Sequence, residues 1–167
     1  ALQALNDFAA TLSGARNTQA ILTALADQTG ATIRGNAVVM LADDKLLQLR
    51  ATTPDAAPLE PAELQAAERA FRSAETIHAA APGWSGPRYE FQVLESAEGP
   101  IGVVGLLPFD GQRRIGAAAD ATLQTLFRHA SIAIERTRLE AETAMARDEA
   151  ERERLRSALL SSLSHDL

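Results

Sequence analysis

From about Ala117 to about Leu163 the sequence keeps one helical period, and this run constrains the fold more than any other stretch. At ~1.5 Å per residue such a helix reaches roughly 70 Å, which suits a transmission rod better than a core element. Its two halves differ in character. Leu123, Leu126, Phe127, Ala130, Ile132, Ala133 and Ile134 form an apolar section suited to packing on a sheet. Beyond Glu135 the helix turns polar, with Glu149–Arg152, Glu151–Arg154 and Glu153–Arg156 at spacing three and Asp148–Arg152 at spacing four. Each such pair adds only ~0.2–0.5 kcal/mol, so a solvated helix this polar needs a partner. Leu139, Ala146 and Glu153 are seven apart, as are Met145, Arg152 and Leu159, and Leu155 with Ser162. No heptad is clean, yet small Ala and Ser positions would let two such helices approach in a parallel dimer; a single amphipathic helix is the alternative. A weak seam also suits a switch between two registers of similar energy.

Residues 1–29 read as two helical pieces, with Leu2, Leu5, Phe8 and Leu12 on one face and Ile21, Leu22, Leu25 and Ala26 on the next. Gly14 separates them, Asn17 or Thr18 caps the second, and Gly30 stands at its expected stop. These faces read as core, although the same residues could pair with another subunit. Asn36–Ala42 and Lys45–Thr52 predict a hairpin turning at Asp43-Asp44, with Leu47, Leu49 and Ala51 on one buried face. Pro54, Pro58 and Pro61 break the chain, and Pro61 opens a helix with Leu64, Ala67 and Phe71 on one side and Glu63, Glu68 and Arg72 among its polar positions. Residues 73–88 are the least regular, with a short strand expected at Thr76–Ala79 before Pro82-Gly83-Trp84-Ser85-Gly86-Pro87. Tyr89–Leu94 alternates, Glu98-Gly99-Pro100 signals a turn, and Ile101–Leu107 is an apolar strand. Gly102 and Gly105 inside it mark a close backbone approach, to a helix or to a ligand.

The 167 residues fit one domain with an appendage. A net charge of -6 without a basic stripe gives no surface for neutralising phosphates, so nucleic acid is not an expected partner. The absence of cysteine excludes a disulfide framework, a Cys-based zinc site and a thioether-linked chromophore. No apolar run approaches the roughly 20 residues of a membrane span, and no signal peptide precedes the first helix, so these residues are expected to make no membrane contact. No spacing of His, Asp and Glu suggests a metal site, and His129 reads as a packed or solvent-edge residue rather than a haem ligand. Gly99-Pro100-Ile101-Gly102 lacks both the Gly-x-Gly-x-x-Gly spacing and the following Lys of a phosphate-cradling loop.

Chemistry concentrates at the end of the long helix. Imidazole is a nucleophile when one ring nitrogen is free, and a carboxylate beside it can hold the other N–H, which is the arrangement His165-Asp166 permits. The segment Arg154-Leu155-Arg156-Ser157-Ala158-Leu159-Leu160-Ser161-Ser162-Leu163-Ser164-His165-Asp166-Leu167 resembles the H-box of sensor histidine kinases, in wording close to the potassium-responsive KdpD type. By that resemblance His165 is the phosphoacceptor and Asp166 the acid that assists transfer. The family pattern continues with Arg-Thr-Pro where this chain stops, which implies a piece cut inside the motif.

The order helix pair, hairpin, helix, irregular loop, two strands and long helix resembles a GAF domain. Glu98-Gly99-Pro100-Ile101-Gly102-Val103-Val104-Gly105-Leu106 and Ile134-Glu135-Arg136 are its most recognisable pieces. The resemblance implies an α+β fold, with a central antiparallel sheet flanked by helices and a long C-terminal signalling helix. It implies a GAF-like sensor over residues 1–137, a coiled-coil-like linker over 138–154, and the start of the phosphoacceptor domain over 155–167. The parent would be a bacterial inner-membrane kinase with this part in the cytoplasm. It would autophosphorylate at His165 from ATP with Mg and pass the phosphoryl group to a KdpE-type response regulator controlling potassium uptake. No ATP-binding domain or cofactor site is visible here, so the segment is expected to be inactive alone. A GAF pocket would draw on His78, Trp84, Arg88 and Tyr89 for stacking and anion contacts with an unidentified small molecule, unless Trp84 and Tyr89 simply close a small core. The module is then either a ligand sensor or a ligand-free dimerisation relay, with a nucleotide-binding regulator as a more distant alternative.

Overall fold

The computed structural model describes residues 2–14, 17–111 and 114–167. In chain order the elements are α1 (Leu2–Gly14), α2 (Thr18–Ile33), β1 (Gly35–Asp43), β2 (Leu46–Thr52), α3 (Pro61–Ser73), β3 (Glu90–Ser96), β4 (Gly99–Pro108) and α4 (Ala117–Asp166). The strands form an antiparallel sheet in the order β2-β1-β4-β3. This is the expected α+β architecture, and each face of the sheet carries its own core. Val39, Leu94, Val104 and Leu106 face α2 and α4, with Phe8 and Leu12 of α1 closing that side. Val38, Met40, Phe91 and Val103 face α3 and the loop that leads into β3.

Asn17 begins α2 by accepting the Ala20 N–H on Oδ1 at 2.8 Å. The helix runs through Gly30, the expected stop, and ends at Arg34, which takes the left-handed conformation with φ 50°. Gly30 serves packing instead: a Cβ there would meet Thr53 Cγ2 at 2.7 Å. The hairpin turns at Asp44-Lys45, one residue later than the sequence suggests, because these two residues take φ 47° and 68°, the positive pair of a type I′ turn.

The expected single buried face of the hairpin does not form. Val39 pairs with Ala51 but Met40 pairs with Leu49, so Arg50 is an extra residue. The bulge inverts the strand's facing. Ala51 joins the core under α2 and α4, whereas Leu47 packs on the α3 side and Leu49 is exposed. A second bulge does the same to β4, where Leu94 pairs with Gly102 and Glu95 with Pro100, leaving Ile101 extra and turned toward α4's side. The close approach expected at the strand glycines is to neighbouring strands: a Cβ on Gly102 would collide with the Met40 carbonyl, and one on Gly105 would lie 2.6 Å from Val38 Cγ2.

Pro61 opens α3 as expected, but the buried stripe is Glu63, Ala66, Ala67 and Ala70; Leu64 is exposed. Alanines let the helix lie close to the sheet, over Tyr89 and Phe91. Thr76–Ala79 is not a strand; Ile77 makes a single bridge to Phe91, with N–H to O distances of 2.9 and 2.8 Å.

Without glycine or proline after Gly116, α4 continues unbroken for 50 residues. Leu123, Leu126, Phe127, Ala130, Ser131, Ala133 and Ile134 are buried. Ile132, expected with them, is 62% exposed because it lies across the helix from that stripe. Every residue from Arg138 onward is exposed. Ion pairs close at Arg136–Glu140 (3.7 Å) and Arg138–Glu142 (3.1 Å), and none of the four pairs expected further along reaches bonding distance among the described residues.

Candidate functional site

Two polar constellations border β3, one on each face of the sheet. On the α3 side, Glu63 at the third position of its helix accepts the Glu60 N–H at 2.7 Å, which fixes the first turn. Its carboxylate also receives Arg88 Nε at 2.7 Å and Nη2 at 3.1 Å. Glu63 is almost wholly buried while the Arg88 side chain is 44% exposed, so the guanidinium closes the edge of this core. The hydrogen bond to Glu63 holds the Arg88 pKa above its ordinary value.

Tyr89 follows directly. It is fully buried, its ring centroid 6.1 Å from that of Phe91, and its hydroxyl has no hydrogen-bond partner among the described residues. Burial disfavours the phenolate and raises the Tyr89 pKa.

On the α4 side, alternation along β3 turns Glu90 and Gln92 inward with Leu94. Gln92 Nε2 donates to Glu90 Oε1 at 2.9 Å and to Asp120 Oδ1 at 3.1 Å, while its Oε1 accepts from Gln124 Nε2 at 3.0 Å. Glu90 Oε2 meets His78 Nδ1 at 2.8 Å. A polar chain therefore runs from the irregular loop through β3 to the start of α4.

The sequence candidates divide accordingly. Arg88 and Tyr89 share the α3 side, His78 belongs to the α4-side chain through Glu90, and Trp84 stands apart, 78% exposed. Glu63, Glu90 and Gln92 are not among the sequence candidates. Their signals are nonetheless present: a glutamate three residues after Glu60 just inside a proline-opened helix, and polar residues in the inward register of an alternating strand.

At the far end of α4, His165 and Asp166 are both exposed, at 92% and 80%. Their Nδ1 and Oδ1 atoms are 3.8 Å apart, an ion-pair separation rather than a hydrogen bond. From Ile134, the last buried residue of the helix, to His165 the axis advances roughly 45 Å.

The fold is that of a GAF domain. The GAF domain of the potassium sensor histidine kinase KdpD from Escherichia coli matches with a TM-score of 0.69 at 21% identity, over 86% of this chain and 99% of that one. The GAF domain of a phosphoenolpyruvate-protein phosphotransferase from Coxiella burnetii matches at 0.68 and 14%, over 84% and 96% of the two chains. GAF-B of DevS from Mycobacterium smegmatis matches at 0.60 and 14%, over 76% and 99%. No family model and no curated protein matches the sequence.

Proposed function

We propose that this chain is the signal-input and relay segment of a two-component sensor histidine kinase of KdpD type. The observation that supports it is the continuity of α4, which starts inside the core of a GAF fold and ends at an exposed His-Asp pair. In this reading residues 1–137 are the sensor module, 138–154 the linker, and 155–167 the start of the phosphoacceptor domain. A helix held by Leu123, Leu126, Phe127 and Ile134 moves with the sheet, and a displacement there reaches His165 as a displacement of the whole rod.

His165 acts as the nucleophile. A free ring nitrogen attacks the γ-phosphorus of ATP, forming a P–N bond as the bond to ADP breaks, and Asp166 favours the reactive tautomer after a small rotation toward the ring. The ATP, with Mg, is held by a separate catalytic domain. The phosphoryl group then passes to an aspartate of a KdpE-type response regulator that controls potassium uptake. The parent is a homodimer paired through α4, with this part on the cytoplasmic side of the inner membrane. No helix of the described residues is long and apolar enough to cross a membrane.

A kinase that carries this segment together with its catalytic domain is expected to incorporate label from radioactive ATP. The label should disappear in His165→Gln, and labelling that survives the substitution rejects the assignment.

Whether the module senses a ligand or only relays turns on the α3 side. Close packing of Met40, Tyr89 and Phe91 against Ala66, Ala67 and Ala70 supports a ligand-free relay. The unpartnered Tyr89 hydroxyl, next in sequence to a half-exposed Arg88, supports a small anionic ligand instead. Native mass spectrometry separates the two: a dimer with excess mass favours sensing, and a dimer of bare chain mass favours relay.

A further inference from the structure

The polar chain on the α4 side of the sheet ends in an imidazole that the proposed relay does not use. The protein has three histidines, each in a different setting. His165 is 92% exposed, with its Nδ1 3.8 Å from Asp166, beyond hydrogen-bond distance. His129 buries its Nδ1 without a partner among the described residues. Of the three, His78 alone has a ring nitrogen hydrogen-bonded to a carboxylate, Nδ1 to Glu90 Oε2 at 2.8 Å.

That carboxylate is held from behind. The Glu90 side chain is only 5% exposed, and its other oxygen accepts Gln92 Nε2 at 2.9 Å. Gln92 is fixed in turn by Asp120 and Gln124 of α4. An ionised carboxylate can only accept, so the proton in the bond to His78 resides on Nδ1, and the neutral ring carries its lone pair on Nε2. With Nδ1 turned inward and 54% of the side chain exposed, Nε2 is the nitrogen on the solvent side. A nucleophile whose tautomer is set by a carboxylate, itself oriented by a third group, is the arrangement of covalent catalysis. The surroundings also select the substrate's charge. Glu90 and Asp120 are the charged members of the chain besides His78, and Arg88, two residues before Glu90, gives its guanidinium to Glu63 on the other face of the sheet. A phosphoryl group would arrive against two carboxylates with no cation to receive it, so an uncharged electrophile is the better fit.

We propose that His78 is a nucleophilic imidazole positioned by Glu90, and that it takes uncharged activated acyl compounds such as aryl esters. Nε2 attacks the acyl carbon; a C–N bond forms as the ester C–O bond breaks, and the phenolate departs with the electron pair. The Nδ1–H bond to Glu90 persists throughout, and the carboxylate offsets the positive charge of the acylated ring. Water then adds to the acyl carbon, the carboxylic acid leaves, the ring returns to its starting tautomer, and the proton surrendered by that water neutralises the phenolate. His78 is the catalytic residue and Glu90 a positioning residue. The proposal goes beyond the phosphoacceptor reading and is independent of it, since it uses neither ATP nor the end of α4.

The test uses the full chain carrying His165→Gln, which removes the freely exposed imidazole. Release of nitrophenolate from p-nitrophenyl acetate is followed at about pH 8, above the ordinary imidazole value of about 6.5. Adding His78→Gln should remove most of the hydrolysis above the buffer rate while circular dichroism stays unchanged. Nitrogen-15 NMR of the unsubstituted protein should show His78 as the Nδ1–H tautomer. In Glu90→Gln the new amide can either accept from Nδ1 or donate to it, so His78 should pass to a mixture of tautomers and hydrolysis should fall part-way. Phosphoramidate, the charged comparison, should leave His78 unmodified under conditions in which the ester acylates it. Hydrolysis that survives His78→Gln, or an Nε2–H tautomer in the unsubstituted protein, overturns the proposal. Preferential labelling of His78 by phosphoramidate overturns the substrate class.

Discussion

Arg88 and Glu63, 25 residues apart, meet through two hydrogen bonds of 2.7 and 3.1 Å that join the loop before β3 to the first turn of α3. The carboxylate is buried and the guanidinium partly exposed, so the contact is asymmetric. Removing Glu63 frees an arginine that water can solvate, whereas removing Arg88 strands a buried anion. Arg88→Ala should therefore destabilise the domain by about 2–3 kcal/mol, at the lower end of buried-pair losses because solvent already screens the arginine. Arg88→Lys should recover only part of that loss, since a point charge cannot reproduce the fork. Urea denaturation of the three proteins checks the order.

Tyr89 gives a pH prediction whose sign follows from burial. Its hydroxyl titrates higher in the folded state than its ordinary value, so the native chain holds this proton more tightly than the unfolded one. The contribution is complete below about pH 10, the ordinary tyrosine value, and is lost as pH rises through the higher folded value. Because Tyr89 is the only tyrosine, alkaline titration by ultraviolet difference absorbance reports it alone. Phenolate should appear above the ordinary range and together with loss of helical circular dichroism. A normal titration with the fold intact would contradict the buried placement.

Much of this fold is legible because its signals are periodic. The stripe from Leu123 to Ile134 defines burial without tertiary knowledge, apart from Ile132, whereas the alternation from Tyr89 to Leu94 marks the strand but not its burial, because Glu90 and Gln92 are buried along with Phe91 and Leu94. The errors occur where a single residue changes the rule. Arg50 and Ile101 are bulges, and each reverses every side chain beyond it, which no alternation score registers until the partner strand is known. Glu63 reads as solvent-facing because glutamate in a first helical turn usually is; only Arg88, supplied from a distant loop, makes its burial tolerable. His165 and Asp166 are singled out by a motif alone; the fold adds only their exposure and their place at the end of α4.

Trp84 is the sole tryptophan and lies 78% exposed. Its emission should sit at the wavelength of a solvated indole and be quenched by acrylamide nearly as freely as indole in water. Trp84→Ala should change stability by no more than about 0.5 kcal/mol. A blue-shifted, protected emission would place the indole in a pocket or an interface.

Glycine substitutions separate packing from propensity. Gly14, in the last turn of α1, has open space where a Cβ would stand and an ordinary φ, so Gly14→Ala should leave stability unchanged or raise it by up to about 1 kcal/mol. Gly30 is also helical, yet its Cβ would meet Thr53 Cγ2 at 2.7 Å and the Gly35 carbonyl oxygen at 3.0 Å. Gly105 would meet Val38 Cγ2 at 2.6 Å and Phe91 Cε1 at 2.8 Å. Gly30→Ala and Gly105→Ala should each cost about 1–3 kcal/mol through overpacking. Thermal melts of the three variants test the contrast.

Gln92 joins the sheet to α4 with one side chain, donating to Glu90 and Asp120 and accepting from Gln124. In Gln92→Leu the apolar replacement keeps bulk but removes all three bonds, leaving the buried Glu90 carboxylate with only His78 and freeing Asp120 and Gln124 toward water. The expected loss is about 1–3 kcal/mol, the range for a buried polar group deprived of its partner. The location of the loss matters more than its size. Gln92 holds only the first turns of α4, while Leu126, Phe127, Ala130 and Ile134 still pack on the sheet, so hydrogen exchange should accelerate around Asp120–Gln124 and remain slow near Ile134. Uniform acceleration along α4 would mean that the helix docks as a single cooperative unit, with Gln92 as one contact among many. Acceleration confined to the first turns would identify β3 and the start of α4 as a joint that can loosen while the rest of the helix stays seated.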